Sequence, residues 1–385
     1  MGTGLDQRLS RRAFLHGAIA GLAGLGALAL IGPSAAWASA GASGQLSPRH
    51  ASSKGGGRSG QVETPTWTRV QSEGGPPARR DHSLTFAVDS GLVYLFGGRA
   101  QVENLDDLWV FDPATGVWSE VPDFAPGPSA RFGHNAHYDP VRKRLLVTLG
   151  QAGATFFDDV WAFDPTSLTW SELGLGSPER PQVRYGSGSA FDLLGDRLFI
   201  SHGFTSLGRF DDTWFFDLAT ETWHRVAIEG ALPEPRCLTR AAWDTASQRL
   251  LLFGGQSNTA PFLGDFWTLD PALGVWSQRA PEILLPPPRN LYAASYDDLT
   301  ARWRLFGGNT ASGSAADAWT YDAAADTWTY LDTSPSIETP SPRHSHDLSG
   351  IGDTFYLFGG DDGTAELADT WILQLPGSAE PPAAM

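Results

Sequence analysis

An Asp-x-Trp triplet recurs six times in this chain, at Asp107/Trp109, Asp159/Trp161, Asp212/Trp214, Asp265/Trp267, Asp317/Trp319 and Asp369/Trp371, with steps of 52, 53, 53, 52 and 52 residues. A period of that length marks a unit too small to bury its own faces, so the copies must pack on one another. Other residues keep the same step. An arginine opens each unit at Arg79, Arg131, Arg184, Arg236, Arg289 and Arg343, and a second tryptophan recurs at Trp118, Trp170, Trp223, Trp276 and Trp328, with Trp67 ahead of the first unit. Glycine pairs end an apolar run at Gly97-Gly98, Gly254-Gly255, Gly307-Gly308 and Gly359-Gly360. The second and third copies keep one glycine each, Gly150 and Gly203.

Inside a unit the hydrophobic pattern changes at intervals that only short strands satisfy. In the second copy, the stretch from Arg131 to Tyr138 meets the turn signal Asp139-Pro140, and Arg144 to Leu149 runs into Gly150. Asp159 to Asp164 then alternates, Pro165-Thr166-Ser167 turns, and Thr169 to Leu173 alternates again. This predicts four antiparallel strands per unit, a to d, with no helical spacing outside the first forty residues. Six four-stranded sheets stacked face to face around an axis form a six-bladed β-propeller, an all-β fold expected over residues 65–376. The tryptophans at two periodic places read as packing between sheets, each with roughly 200 Å² to bury. Closure follows from counting. Pro376, Pro381 and Pro382 fall among the fourteen residues after Trp371, which leaves the sixth unit no strand d of its own. Thr66-Trp67-Thr68-Arg69-Val70 matches Val117-Trp118-Ser119-Glu120-Val121, so the N-terminal strand is expected to complete the last blade.

The order glycine pair, polar loop, Asp-x-Trp and later Trp resembles the kelch-repeat family over residues 65 to about 373. The resemblance implies the propeller and a partner-binding role, in which some kelch domains use an arginine of this kind. It also brings enzymes into view. Galactose-oxidase-like copper enzymes need a cysteine cross-linked to tyrosine, and the one thiol here is Cys237, directly after Arg236. Sialate mutarotases are similar in architecture, and sugar acid/base chemistry needs only a carboxylate or two and an arginine. No distinctive motif beyond the repeat supports either, nor does a Ser/His/Asp order, phosphate loop or nucleophile elbow occur. A non-catalytic module without cofactor is expected, a sugar mutarotase or epimerase being the alternative.

The first forty residues read as an address. Ser10-Arg11-Arg12-Ala13-Phe14-Leu15 precedes an Ala/Gly/Leu stretch to Ile31, and Ala36-Trp37-Ala38-Ser39-Ala40 offers a cleavage site. The paired arginines resemble a twin-arginine signal, which exports folded cargo to the periplasm or beyond. Residues 41–64, with Lys54-Gly55-Gly56-Gly57-Arg58-Ser59-Gly60, read as a flexible linker, and residues 377–385 as a disordered tail. From position 61 onward 21 basic residues face 42 acidic ones, which speaks against nucleic acid as a partner. After signal cleavage no membrane contact is expected, and the chain is expected to be monomeric. With 41% hydrophobic and 18% charged residues, apolar material suffices for a core. A single cysteine closes no intrachain disulfide, so packing must hold the fold.

Site residues are sought where loops gather, in the b–c and d–a connections. The b–c loops, Arg99–Asp106, Gln151–Asp158, Phe204–Asp211, Gln256–Gly264, Asn309–Ala316 and Asp361–Ala368, differ in every copy. The six repeated arginines are the candidate ligand-binding rim for an acidic peptide or carboxylate. Equally, six arginines against six motif aspartates allow each to be consumed in a pair, and the aspartates are expected to accept backbone N–H groups at loop corners. Three residues beyond the arginines stand His82, His134, Ser187, Thr239, Tyr292 and His346, with His344 nearby. Three imidazoles on neighbouring blades raise the thought of a metal, but radial strands keep such rings apart, and no metal is expected. The expected ligand is a protein, peptide or glycan.

Overall fold

A computed structural model of the chain describes residues 64–72, 74–122, 126–279 and 285–376; the signal, most of the linker and the C-terminal tail lie outside them. Strands appear where the alternation placed them. In the second blade they are Asn135–Asp139, Arg144–Thr148, Val160–Asp164 and Thr169–Leu173, paired antiparallel in order. The innermost strands of the six blades are Ser83–Ala87, Asn135–Asp139, Gly188–Asp192, Arg240–Asp244, Ala293–Asp297 and Asp347–Ile351. Each pairs on one side only and touches the innermost strands of the blades before and after it, which closes the ring around a central channel. The all-β six-bladed propeller is thus the fold.

The ring is fastened as expected. Thr66–Val70 pairs antiparallel with Thr370–Gln374, with Trp67 opposite Leu373, so the sixth sheet takes its outermost strand from the N-terminal side. Six hydrophobic clusters hold the blades, one at each seam. Leu146, Val160 and Ala162 of the second blade, for example, meet Leu198, Ile200 and Trp223 of the third, and Phe111 and Trp118 of the first meet Tyr356 and Phe358 of the sixth.

The b–c connections are more ordered than polar loops. In blades one, four and five, strands b and c continue past the glycine pair as one hairpin, Leu92–Ala100 with Glu103–Asp112 in the first. The ladder slips register between Phe96 and Gly98, where Gly97 and Gly98 take φ of 60° and 96°. A short antiparallel connection gains hydrogen bonds by zipping, and the glycines absorb the bend. In blades two and three only two-residue ladders form, Gln151–Ala152 with Thr155–Phe156 and Phe204–Thr205 with Gly208–Arg209.

Close approach decides where the first glycine of a pair is needed. A Cβ on Gly97 would stand 3.3 Å from Cε1 of His134 and 2.9 Å from the Arg131 carbonyl, and one on Gly307 would stand 2.8 Å from Cε1 of His346. In both cases the ring belongs to the following blade. The second and third copies hold the same left-handed backbone with Leu149 (φ 63°) and His202 (φ 62°), and there the following blade offers only Ser187 and Thr239. Volume has moved across the seam: a large side chain on one blade faces a small one on the next, which keeps interior density constant.

Candidate functional site

The six arginines do not form a rim. Each is fully buried, 0% exposed, and its two Nη groups grip both carboxylate oxygens of the motif aspartate of its own blade at 2.6 to 3.1 Å: Arg79 with Asp107, Arg131 with Asp159, Arg184 with Asp212, Arg236 with Asp265, Arg289 with Asp317 and Arg343 with Asp369. Nη1 also donates to a carbonyl at the end of strand b, and Nε to one two residues back, as in Arg131 to Leu149 and Ser129. The aspartate's second oxygen takes the indole N–H of the tryptophan two residues on, at 2.6 to 2.9 Å. The aspartates therefore accept from guanidinium and indole, where turn amides were expected. A charge so buried is tolerable only when fully paired, and such a pair has nothing left for a ligand.

The histidines likewise serve the seams. His82, His134 and His346 stand edge-on to Phe358, Phe96 and Phe306 of the preceding blades at 5.5, 5.3 and 5.5 Å. His134 Nε2 lies 2.9 Å from the Ser83 hydroxyl, and His346 Nε2 donates to the Phe306 carbonyl at 3.1 Å. Burial, then the neighbouring arginines, hold all three well below the usual imidazole range, His134 at about 3. Each ring faces a different seam, and among the described residues no three His, Cys, Asp or Glu groups are placed to share an ion. Cys237 is buried, and burial pushes its thiol up although Arg209 pulls the other way.

At the loop end of the channel, where the d–a connections enter strand a, the backbone itself closes in. Asp81, Gly133, Gly186, Leu238, Leu291 and Ser345 each donate an N–H to the carbonyl of the equivalent residue on the preceding blade, at 2.7 to 3.3 Å, and the sixth bond completes a circle. All six have φ between 52° and 63°. Left-handed backbone at Asp81, Leu238, Leu291 and Ser345 costs on the order of 1 kcal/mol or more each and persists only because the ring holds it. No common residue type marks these places, so the sequence pattern is silent about them.

Outside this ring, on the loop face, blades two and three carry a cluster of half-buried aromatic rings. Tyr185 lies 5.8 Å from Phe132, 6.1 Å from Phe156 and 5.7 Å from Phe204. Arg99 caps Phe132 at 4.7 Å and Arg209 caps Phe204 at 5.6 Å. Arg209 also bonds Asn258, but among the described residues neither arginine has a carboxylate partner. Arg80 on the same face is already taken by Asp361 and Glu366.

The opposite end, where strands a turn into strands b, holds a cavity of about 330 Å³ lined mainly by strand residues rather than by the b–c or d–a loops. Across its depth reaches Arg240, four residues beyond the fourth repeat arginine. Its Nε donates to the Tyr292 carbonyl at 3.1 Å and its Nη2 stands 3.3 Å from Asp347. Asp347 also accepts the Leu84 N–H at 2.9 Å, and burial raises its carboxyl's pKa against the pull of Arg240. A signal existed: at this place the six copies read Ser83, Asn135, Gly188, Arg240, Ala293 and Asp347, one cation and one acid among small residues.

Fold and site together define a propeller whose repeat arginines are structural and whose two ends are chemically different. A family model described as the KLHDC2/KLHL20/DRC7 Kelch-repeats domain matches residues 59–203 and again 188–378, and the chain belongs to the kelch-repeat family. It is 28% identical over 314 residues to acyl-CoA-binding domain-containing protein 4 of Arabidopsis thaliana, a match covering 77% of this chain and 45% of that protein. Host cell factor 1 of Homo sapiens is 26% identical over 63% of this chain and 13% of its own length. An F-box/kelch-repeat protein of Arabidopsis thaliana is 29% identical over 54% and 46% respectively. The chain thus spans less than half of each of these relatives.

Proposed function

We propose that this propeller is a non-catalytic binding module that holds a protein segment on its loop face, against the aromatic cluster of blades two and three. The observation that carries this reading is the pair Arg99 and Arg209, two cations without carboxylate partners among the described residues, flanking four rings on an otherwise acidic protein. Rings supply apolar area and arginines bind carboxylates bidentately, so the segment carries an aspartate or glutamate beside an apolar residue. Membership of the kelch-repeat family supports a binding role. Against catalysis in the channel stands Asp347, already held by Arg240 and a backbone amide and so no free base.

Panning a displayed random-peptide library against the chain is expected to enrich such sequences, and Arg99→Ala with Arg209→Ala is expected to weaken capture at least about tenfold. Stability should stay within about 0.5 kcal/mol for surface changes of this kind. Capture that survives both substitutions would exclude this face.

Delivery belongs to the same proposal. The Arg11-Arg12 leader is taken to export the chain already folded, which suits a fold with one buried cysteine and no disulfide to form. Replacing both arginines by lysine should retain the protein in the cytoplasm of a bacterial host; undiminished export would refute a twin-arginine route.

A further inference from the structure

The cavity at the turn end has a wall chemistry of its own, independent of the loop face. Its depth is formed by the Arg240–Asp347 pair, and no other lysine or arginine lines it. The Arg240 side chain is 30% exposed and that of Asp347 10%, so the pair offers guanidinium donors beside a carboxylate. The innermost strands add hydrogen-bonding groups to the wall, because each pairs on one side only and turns its free edge to the channel. One such edge is already met by side chains: Leu84 and Phe86 donate their N–H groups to Asp347 and Ser349 of the neighbouring blade.

Shape and charge narrow the class of guest. Phe86 and Phe191, both half-buried, line the cavity with apolar rings, while Ser189 and Ser295 line it with hydroxyls, a mixture that suits a molecule with apolar C–H faces and an equatorial belt of hydroxyls. The lip is acidic. Asp298 stands there with Asp297, and burial followed by the nearby carboxylates of Asp297, Asp244 and Asp192 raises its pKa. Such a lip opposes an anion, and the one cation inside is already balanced by Asp347. We infer that the turn end of the channel is a binding site for a neutral monosaccharide, its hydroxyls shared between Arg240 and Asp347 and its apolar face set on the aromatic wall.

The test uses the full chain with D-glucose, D-galactose and N-acetyl-D-glucosamine, and with D-glucuronate and D-glucosamine as charged counterparts, by calorimetry or ligand-observed NMR. At least one neutral sugar should bind saturably and at least about tenfold more tightly than either charged one. Arg240→Gln and the cavity-filling Ser295→Phe should each weaken it about tenfold or more, while Arg99→Ala leaves it unchanged. The site is refuted if no neutral sugar saturates below about 50 mM, if a charged sugar binds best, or if binding survives in a folded Ser295→Phe. Because the first two outcomes are read on the unaltered protein, the inference stays open to refutation even where a variant fails to fold.

Discussion

Arg131→Ala is expected to lower the unfolding free energy by about 3–5 kcal/mol, far more than loss of a surface cation would. The guanidinium is fully buried and makes four hydrogen bonds, two to Asp159 and one each to the Leu149 and Ser129 carbonyls. Removing it strands a carboxylate that keeps only the Trp161 indole, and leaves two carbonyls without a donor. Much of the loss should return in the double variant Arg131→Met, Asp159→Leu, since an apolar pair of similar volume carries no charge to desolvate. Denaturant midpoints of the three proteins decide it. A drop below about 1 kcal/mol in Arg131→Ala would reinstate the arginines as a rim free to bind. Acid titration offers a second view of the same design. In Asp212, Asp265, Asp317 and Asp369, burial would raise the pKa, but the paired arginine and the indole N–H together outweigh it and hold each carboxyl low. Groups depressed in the folded state stabilise it above their unfolded value and lose that contribution as pH falls towards the folded one. His134 and His202, held at about 3 by burial and then arginines, obey the same sign from a higher starting point. Stability should therefore begin to fall below about pH 6.5, as unfolded imidazoles gain protons, and fall again below about pH 4 as the aspartates follow. A flat profile from pH 7 to pH 5 would mean that the histidines are not buried neutral.

Residues that repeat were legible, and so was what depends only on repetition. The steps between Asp-x-Trp triplets counted the blades, and Trp67 standing one unit out of place foretold the closure seen opposite Leu373. What repeats by type does not reveal its partner. Arginine and aspartate recur six times each, and a free rim or six internal pairs satisfy the same count; only the burial of every arginine against its own aspartate separates them. The exchanges of Leu149 with Ser187 and of His202 with Thr239 were also written in the chain, as departures from the glycine and ring found elsewhere. Reading them needs the fact that the end of strand b in one blade meets strand a of the next. The backbone circle through Asp81, Leu238 and Ser345 left no mark at all, since it is built from peptide groups that every residue has. Arg240 and Asp347 lay in view as the charged members of an otherwise small-residue position. They stand on strands and not in loops, and the free strand edges of a propeller make the channel wall polar as well.

Deleting residues 61–72 is expected to abolish cooperative unfolding, the largest effect of any single change to this chain. The deletion removes the five-residue ladder to Thr370–Gln374 and leaves that strand as an open edge. It also leaves a hole in the seam between blades five and six, where Trp67, 4% exposed, meets Phe306 edge-on at 4.9 Å among Leu357, Trp371 and Leu373. A ring differs from a row in this respect. Each blade of a closed ring is held on two faces, so the loss of one fastening turns two blades into ends and lets fraying start where none was possible. Point changes separate the packing from the ladder. Trp67→Ala should cost about 3–5 kcal/mol, as for other buried aromatic rings. Trp67→Phe should cost much less, because the buried indole N–H has no partner to lose and a ring still fills the seam. Thr68→Pro leaves Trp67 in place but introduces a residue that cannot donate to the ladder and sits poorly within a paired strand. Should the truncated chain melt at the same midpoint and with the same steepness as the parent, the terminal strand would be an ornament and the ring would be held by its seams alone. A broadened transition with early exposure of blade six would instead place the fastening where Thr66–Val70 meets Thr370–Gln374.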